Sequence, residues 1–153
     1  MRIIGLDPGL RNTGWGIIEV ESNRFHYVAD GTVRPKVDQQ LAWRLRDLYH
    51  GLSEAIAEFV PDEAAVEETF VNTNPKSTLK LGEARGVVLL TPALLELPVA
   101  EYAANKVKKA VVGAGHASKE QVQMMVGRIL PGCSFSSPDA ADALAVAICH
   151  ANL

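Results

Sequence analysis

Long hydrophobic runs are missing from this sequence. The longest uncharged apolar stretch, around 87–95, falls far short of the roughly 20 residues that a membrane-spanning helix needs. Residues 1–9 also lack the charged region and apolar run of a signal peptide. We therefore expect a cytoplasmic protein that does not cross a membrane.

Cysteine and histidine are too sparse for a metal site built on sulfur or nitrogen. Cys133 and Cys149 are not in CxxC spacing, and the four histidines are dispersed. The 12 glycines and eight prolines are scattered, which excludes a low-complexity chain. With 153 residues, 48% of them hydrophobic and 22% charged, the composition indicates one globular domain spanning 1–153.

Positive charge is in deficit overall but is concentrated in the middle of the chain. The net charge of −3 argues mildly against a nucleic-acid partner. Residues 70–130, however, contain eight Lys and Arg against four Asp and Glu. Such an asymmetry suggests a polyanionic partner, although a solvated basic face explains it equally well.

The hydrophobic pattern predicts the order βββ, then αβαβ, then three helices. Strands are expected at 2–7, 13–20, 24–32, 64–69 and 98–102. Helices are expected at about 41–59 with Asp38 as the cap, and at 76–95, 103–110, 118–130 and 139–152. Three antiparallel strands followed by parallel βαβ units predict an α/β fold, a mixed five-stranded sheet with helices on both faces.

Several acidic residues interrupt apolar segments. Asp7 ends the first strand, Glu67 and Glu68 end the strand at 64–69, and Asp139 and Asp142 open the last helix. Each has a structural alternative, because Asp7 could shape a turn, Asp139 could cap its helix and either glutamate could pair with a lysine. Strand alternation alone does not choose between Glu67 and Glu68.

Taken together, the acids predict a metal site. If the first strand, the strand at 64–69 and the last helix meet, four carboxylates lie together, and their repulsion is relieved by divalent cations. All-oxygen ligands suit Mg²⁺ or Mn²⁺, and two such ions are suited to phosphodiester hydrolysis. Lys119 would then contact the scissile phosphate, or would simply be an exposed lysine in the first turn of its helix.

Five segments together resemble the RuvC-type Holliday-junction resolvases of the ribonuclease H-like superfamily. They are GLDPGLRNTGWG at 5–16, PDEAAVEETF at 61–70, STLKLGEARGV at 77–87, EYAANKVKKAVVGAGHASKEQVQMMV at 101–126 and PDAADALAVAICH at 138–150. Each segment alone is weak, but all five in this order are highly specific. The resemblance covers essentially the whole chain and implies the ribonuclease H-like fold.

The resemblance assigns the catalytic acids as Asp7, Glu67, Asp139 and Asp142. It selects Glu67 over Glu68 because the family pattern is a glutamate followed by two other residues and a phenylalanine. It also implies that the four acids bind two Mg²⁺ per subunit, with Mn²⁺ able to substitute. Lys119 becomes a catalytic and DNA-contacting residue. The further DNA contacts that we expect are Phe70, Asn74, Lys76, Lys106, Lys108 and Lys109.

The implied activity is a structure-selective endodeoxyribonuclease. It would resolve four-way DNA junctions by paired symmetric nicks in homologous recombination and DNA repair. Two-fold symmetry of the junction implies a homodimer, and a branch-migration motor complex is an expected partner. The helix at 76–95 carries more apolar surface than one face needs, so it is a candidate dimer interface, although core burial also explains that surface.

Three other functions fit parts of the sequence. A related nuclease of the YqgF type would act on structured RNA. The glycine turn at 5–16 also resembles the phosphate-binding hairpin of actin-like ATPases, but those enzymes need two such domains. A module that binds branched DNA without cutting it would not benefit from four carboxylates near phosphate.

Overall fold

A mixed five-stranded sheet forms the centre of the protein, whose computed structural model describes residues 1–68 and 74–153. The strands are β1 (Arg2–Asp7), β2 (Thr13–Glu21), β3 (Arg24–Val33), β4 (Glu63–Glu68) and β5 (Val99–Ala103). Their order across the sheet is β3-β2-β1-β4-β5. The pairs β1–β2 and β2–β3 are antiparallel, whereas β1–β4 and β4–β5 are parallel. The predicted mixed sheet is confirmed.

Helices cover both faces of this sheet, as the sequence predicts. They are α1 (Leu41–Phe59), α2 (Pro75–Leu94), α3 (Ala104–Val112), α4 (Lys119–Ile129) and α5 (Pro138–Ala151). Leu48 and Leu52 of α1 pack with Val88 of α2 on one face, in a core that includes alternate residues of β1. The other face carries α3, α4 and α5 in a second core that includes Ile3 and Ala65.

The start of α1 differs from the prediction. Asp38 does not cap the helix, because the N-cap is Gln40, whose side chain makes no capping hydrogen bond in the described part of the chain. A turn lies before the helix, where the Gln39 amide donates to the carbonyl of Lys36 at 3.3 Å. This turn separates Asp38 from the first helical amides. Capping by a nearby aspartate was a plausible prediction from composition, but the chain does not enter the helix there.

Helix α5 lies unusually close to the sheet because small residues face each other. A Cβ atom on Gly5 would collide with the carbonyl oxygen of Ala143, and one on Gly14 would collide with that of Asp139. Most of the α5 side chains that are fully buried against the sheet are alanines: Ala140, Ala141, Ala143, Ala145 and Ala147. Glycines on the sheet and small alanine side chains on the helix let the helix backbone rest on β1 and β2.

Two side-chain hydrogen bonds of His150 fix the C-terminal end of α5. His150 Nε2 lies 2.7 Å from Oε1 of Glu63, and His150 Nδ1 lies 2.6 Å from the Tyr102 hydroxyl. These partners belong to the beginning of β4 and to β5. Together with the alanine contacts, they set the angle of α5 and therefore the position of its first turn.

Candidate active site

Two acids project from the ends of the central parallel strands. Asp7 is the last residue of β1, and Glu67 lies one position beyond Val66, the partner of Leu6 in the parallel register. Side chains alternate along β4, so Glu67 shares the α5 face with Ala65, whereas Glu68 is exposed on the opposite side. The strand geometry therefore places Glu67, and not Glu68, beside Asp7.

The first turn of α5 adds two more acids. The Ser137 hydroxyl accepts a hydrogen bond from the amide of Ala140 at 3.1 Å and caps the helix, with Pro138 as its first residue. The alternative in which Asp139 is the cap is thus wrong. Asp139 and Asp142 lie one turn apart, and carboxylate oxygens of Asp7, Asp139 and Asp142 all lie within 4.8 Å of one another.

Burial and mutual repulsion make these acids hard to ionise together. Burial, followed by the charges of Glu67, Asp142 and Asp139, raises the pKa of Asp7 to about 8. Burial and then Asp142 raise the pKa of Glu67 to about 7, against the opposing influence of Lys108 and Lys119. Burial also raises the pKa of Asp142. An acidic cluster of this kind gains stability from any cation that enters it.

Lys119 supplies one cation to the cluster. It is the first residue of α4, whose start is fixed by a capping box between Ser118 and Gln121. Its ammonium Nζ lies 3.5 Å from Oδ2 of Asp142, and the Asp142 charge raises the pKa of Lys119. The side chain is still 67% exposed, so it remains accessible to a substrate.

A cleft of about 210 Å³ opens over these groups. Its charged lining residues are Asp7, Glu67, Lys108, Lys119 and Asp142. Apolar walls are provided by Val107 and Val122, from α3 and α4. The cleft therefore combines carboxylates and two lysines with walls of low polarity, which strengthen electrostatic interactions inside it.

A larger groove of about 670 Å³ continues from the cleft past the loop between β1 and β2. Asp7, Asp139 and Lys119 line it, so it shares one end with the acidic cluster. Its other polar and charged lining residues include Arg11, Asn12, Arg44, Ser77 and Lys80. The sequence analysis missed these basic residues. Arg11 and Arg44 lie in the half of the chain whose net charge is negative, so the charge distribution gave no signal for them.

The remaining predicted DNA contacts are not all near the cleft. Asn74 caps α2 by accepting from the Lys76 and Ser77 amides, and Lys76 is exposed in the first turn. Lys106 and Lys109 line a separate cleft with Cys149 near the other end of α5. The structure thus brings Lys108 and Lys119 to the acids. It places Lys106 and Lys109 elsewhere. Phe70 lies outside the described residues.

The donor set of the cluster fits a hard divalent cation. Oxygens of three carboxylates lie within 4.8 Å of one another, and oxygen ligands of this kind are preferred by Mg²⁺ and Mn²⁺. Glu67 is close enough to Asp7 for its charge to raise the pKa of that residue.

Among the described helices, none is long and apolar enough to serve as a membrane span.

Comparison with known sequences agrees with this geometry. The model of the family described as "Crossover junction endodeoxyribonuclease RuvC" matches residues 3–150. A protein of that name from Paramagnetospirillum magneticum is 66% identical over 152 residues, which cover 99% of this chain and 92% of the relative. The corresponding protein from Azorhizobium caulinodans is 60% identical, with 99% and 90% covered.

Solved structures give the same result. A structure of Thermus thermophilus RuvC in complex with a Holliday junction substrate superposes with a TM-score of 0.90 at 33% identity, covering 99% of this chain and 93% of that one. The yeast mitochondrial Holliday junction resolvase Ydc2 has a TM-score of 0.68 at 12% identity, covering 96% and 77%. The second likeness concerns the fold alone.

Proposed function

The chain belongs to the RuvC family of crossover junction endodeoxyribonucleases, and on that premise we propose that it resolves Holliday junctions. It hydrolyses phosphodiester bonds in junction DNA, as an endonuclease of homologous recombination and DNA repair. The observation that supports this function most directly is the convergence of Asp7, Asp139 and Asp142 beside the exposed ammonium of Lys119. A carboxylate cluster next to a basic groove is the arrangement that cutting a polyanion requires.

A divalent metal completes the site. Asp7, Glu67, Asp139 and Asp142 would hold two Mg²⁺ ions per subunit, with Mn²⁺ as a substitute. When bound, the ions would activate a water molecule and stabilise the oxygen that leaves. The high pKa of Asp7 supports this assignment, because the charged form of a carboxylate buried among three others needs a positive partner.

The side chains of the chain itself position the substrate. Lys119 is exposed and adjacent to Asp142, so its ammonium can donate hydrogen bonds to a non-bridging oxygen of the scissile phosphate. Lys108 lines the same cleft and offers a second positive charge. The products are a 5′ phosphate and a 3′ hydroxyl, and no covalent intermediate with the protein is needed.

Paired nicks require two copies of the site, and α2 is the candidate dimer interface. Leu79, Leu90 and Leu94 are 65%, 53% and 56% exposed, and they recur at helical spacing along one side of the helix. An apolar stripe of this length is unusual on a monomeric helix and suits a second copy of the same stripe. A two-fold dimer would present two clefts to a two-fold junction, and a branch-migration motor would be its partner.

The test is cleavage of an end-labelled synthetic four-way DNA junction with Mg²⁺ or EDTA. The wild-type protein and Asp38→Asn, a matched control at an exposed aspartate, are expected to give paired nicks in opposing strands. Asp7→Asn is expected to bind the junction without cutting it. Nicking by Asp7→Asn at the wild-type rate would refute the site. Cleavage of structured RNA in place of the junction would reassign the substrate.

A further inference from the structure

Arg44 is a buried cation that has no anionic partner among the described residues. Arg44 lies on α1 and is only 9% exposed. One guanidinium nitrogen, Nη2, donates to the carbonyl of Leu10 at 3.4 Å, and Nε has no hydrogen-bond partner in the described part of the chain. None of the ion pairs among the described residues includes Arg44.

This arrangement leaves the buried charge of Arg44 without the pairing that buried charges normally have in the described part of the chain. A guanidinium carries five N–H donors and stays charged at any pH that proteins tolerate. A buried charge is costly unless it is paired and hydrogen-bonded. The single long bond to Leu10 satisfies one donor and braces the loop after β1. It leaves the charge and the remaining donors for a group that arrives from outside.

The groove shows where that group would come from. Arg44 lines the groove together with Arg11 and Lys80, which are both exposed residues. Asp7 and Lys119 of the candidate active site line the same groove. Three further cations therefore share one groove with the acids. A groove of this kind fits a chain of negative charges that extends beyond the reacting phosphate.

We propose that Arg44, flanked by Arg11 and Lys80, forms a subsite for a backbone phosphate of the DNA strand that continues from the scissile bond. This inference rests on the proposed function. The planar guanidinium forms two parallel hydrogen bonds to phosphate oxygens, which fixes direction as well as distance. Because Leu10 holds the guanidinium in place, the subsite sets the register of the strand over the acids. Arg44 is thus a positioning residue and does not touch the reacting atoms.

The experiment combines substitution of Arg44 with neutralisation of single phosphates. A series of four-way junctions, each with one uncharged methylphosphonate near the cut, is bound in Ca²⁺ by wild type and by Arg44→Gln. At one position, neutralisation should weaken wild-type binding several-fold and leave Arg44→Gln unchanged. The slope of log affinity against log salt should also fall by about 0.9 per subunit in Arg44→Gln.

Matched variants keep the test decisive. Arg46→Gln removes the same charge from an exposed position two residues along α1, and it should respond to every methylphosphonate as wild type does. If Arg44→Gln remains sensitive at every position, Arg44 only braces the loop and the inference is wrong. If Arg44→Gln does not fold, Lys80→Gln at the exposed end of the groove must show the loss at a neighbouring phosphate, and a wild-type response there overturns the subsite. Failure of wild type to cut unmodified junctions would instead refute the proposed function.

Discussion

Asp7 links the stability of the fold to the proposed metal site at the scale of a single residue. Its pKa is about 8 in the folded chain and 3.8 as a free side chain. Between these pH values the folded chain retains a proton that the unfolded chain releases. The free energy of unfolding of the metal-free protein is therefore expected to fall as pH rises from about 4 to 8. Glu67, with a pKa raised to about 7, contributes in the same direction.

The variant Asp7→Asn removes the largest part of this dependence. We expect it to stabilise the metal-free protein at pH 8 by about 1–2 kcal/mol. That corresponds to about 2–8 °C in Tm for a domain of this size. Thermal unfolding in EDTA at pH 5 and pH 8 measures the effect. Added Mg²⁺ should raise the Tm of wild type at pH 8 more than at pH 5. A wild-type Tm that rises with pH across this range would contradict the argument.

Lys119 is expected to act on the transition state more than on binding. Its ammonium lies 3.5 Å from Asp142, where charge would develop on the phosphate in the proposed reaction. The variant Lys119→Gln should reduce the rate of junction cleavage about 10²–10³-fold, the loss typical of one electrostatic donor. Junction affinity should change much less. Arg128→Gln, an exposed residue in the last turn of the same helix, is the control for loss of charge. Single-turnover cleavage and filter binding separate the two effects.

At the scale of elements, the contact between α5 and the sheet decides where two of the acids lie. A methyl group on Gly14 has no space under the carbonyl of Asp139. Gly14→Ala should therefore lower the free energy of unfolding by about 1–3 kcal/mol. It should also weaken the stabilisation by Mg²⁺, because the first turn of α5 must move. Gly127→Ala is the control, since no described atom outside the neighbouring helix backbone lies within 4 Å of the added group, and it should stabilise α4 by about 0.5–1 kcal/mol. Unchanged Mg²⁺ stabilisation in Gly14→Ala would show that α5 does not set the site.

The elements also show what the sequence could predict. Hydrophobic patterning located the strands and helices, because α1 buries one face while β1 and α5 are apolar along most of their length. Glu67 and Glu68 could not be separated by alternation until the register of β4 against β1 was known. The role of Ser137 as helix cap was missed because Asp139 offered an equally suitable side chain two residues later. Arg44 gave no signal at all, since its burial depends on the loop that β1 and β2 place over it.

At the scale of the whole molecule, the apolar stripe on α2 predicts the oligomeric state. Leu90 is 53% exposed near the middle of that stripe. Leu90→Glu should convert the proposed dimer to a monomer in sedimentation velocity experiments, because a charge at the two-fold contact would meet its own copy. Junctions should then be nicked in one strand at a time. Met124→Glu, which changes a 52% exposed side chain on α4, should leave the dimer intact. A dimeric Leu90→Glu protein would place the interface elsewhere.

The acids of the site come from opposite ends of the chain, and this has a consequence for protein synthesis. Asp7 on β1 and Glu67 on β4 leave the ribosome before α5, the helix that carries Asp139 and Asp142. A nascent or prematurely terminated chain holds Asp7 and Glu67 without the pair from α5. Such a chain cannot assemble the nuclease, however much of the sheet it has formed. The order of the elements therefore delays completion of the acid cluster until the residues of α5 have been made.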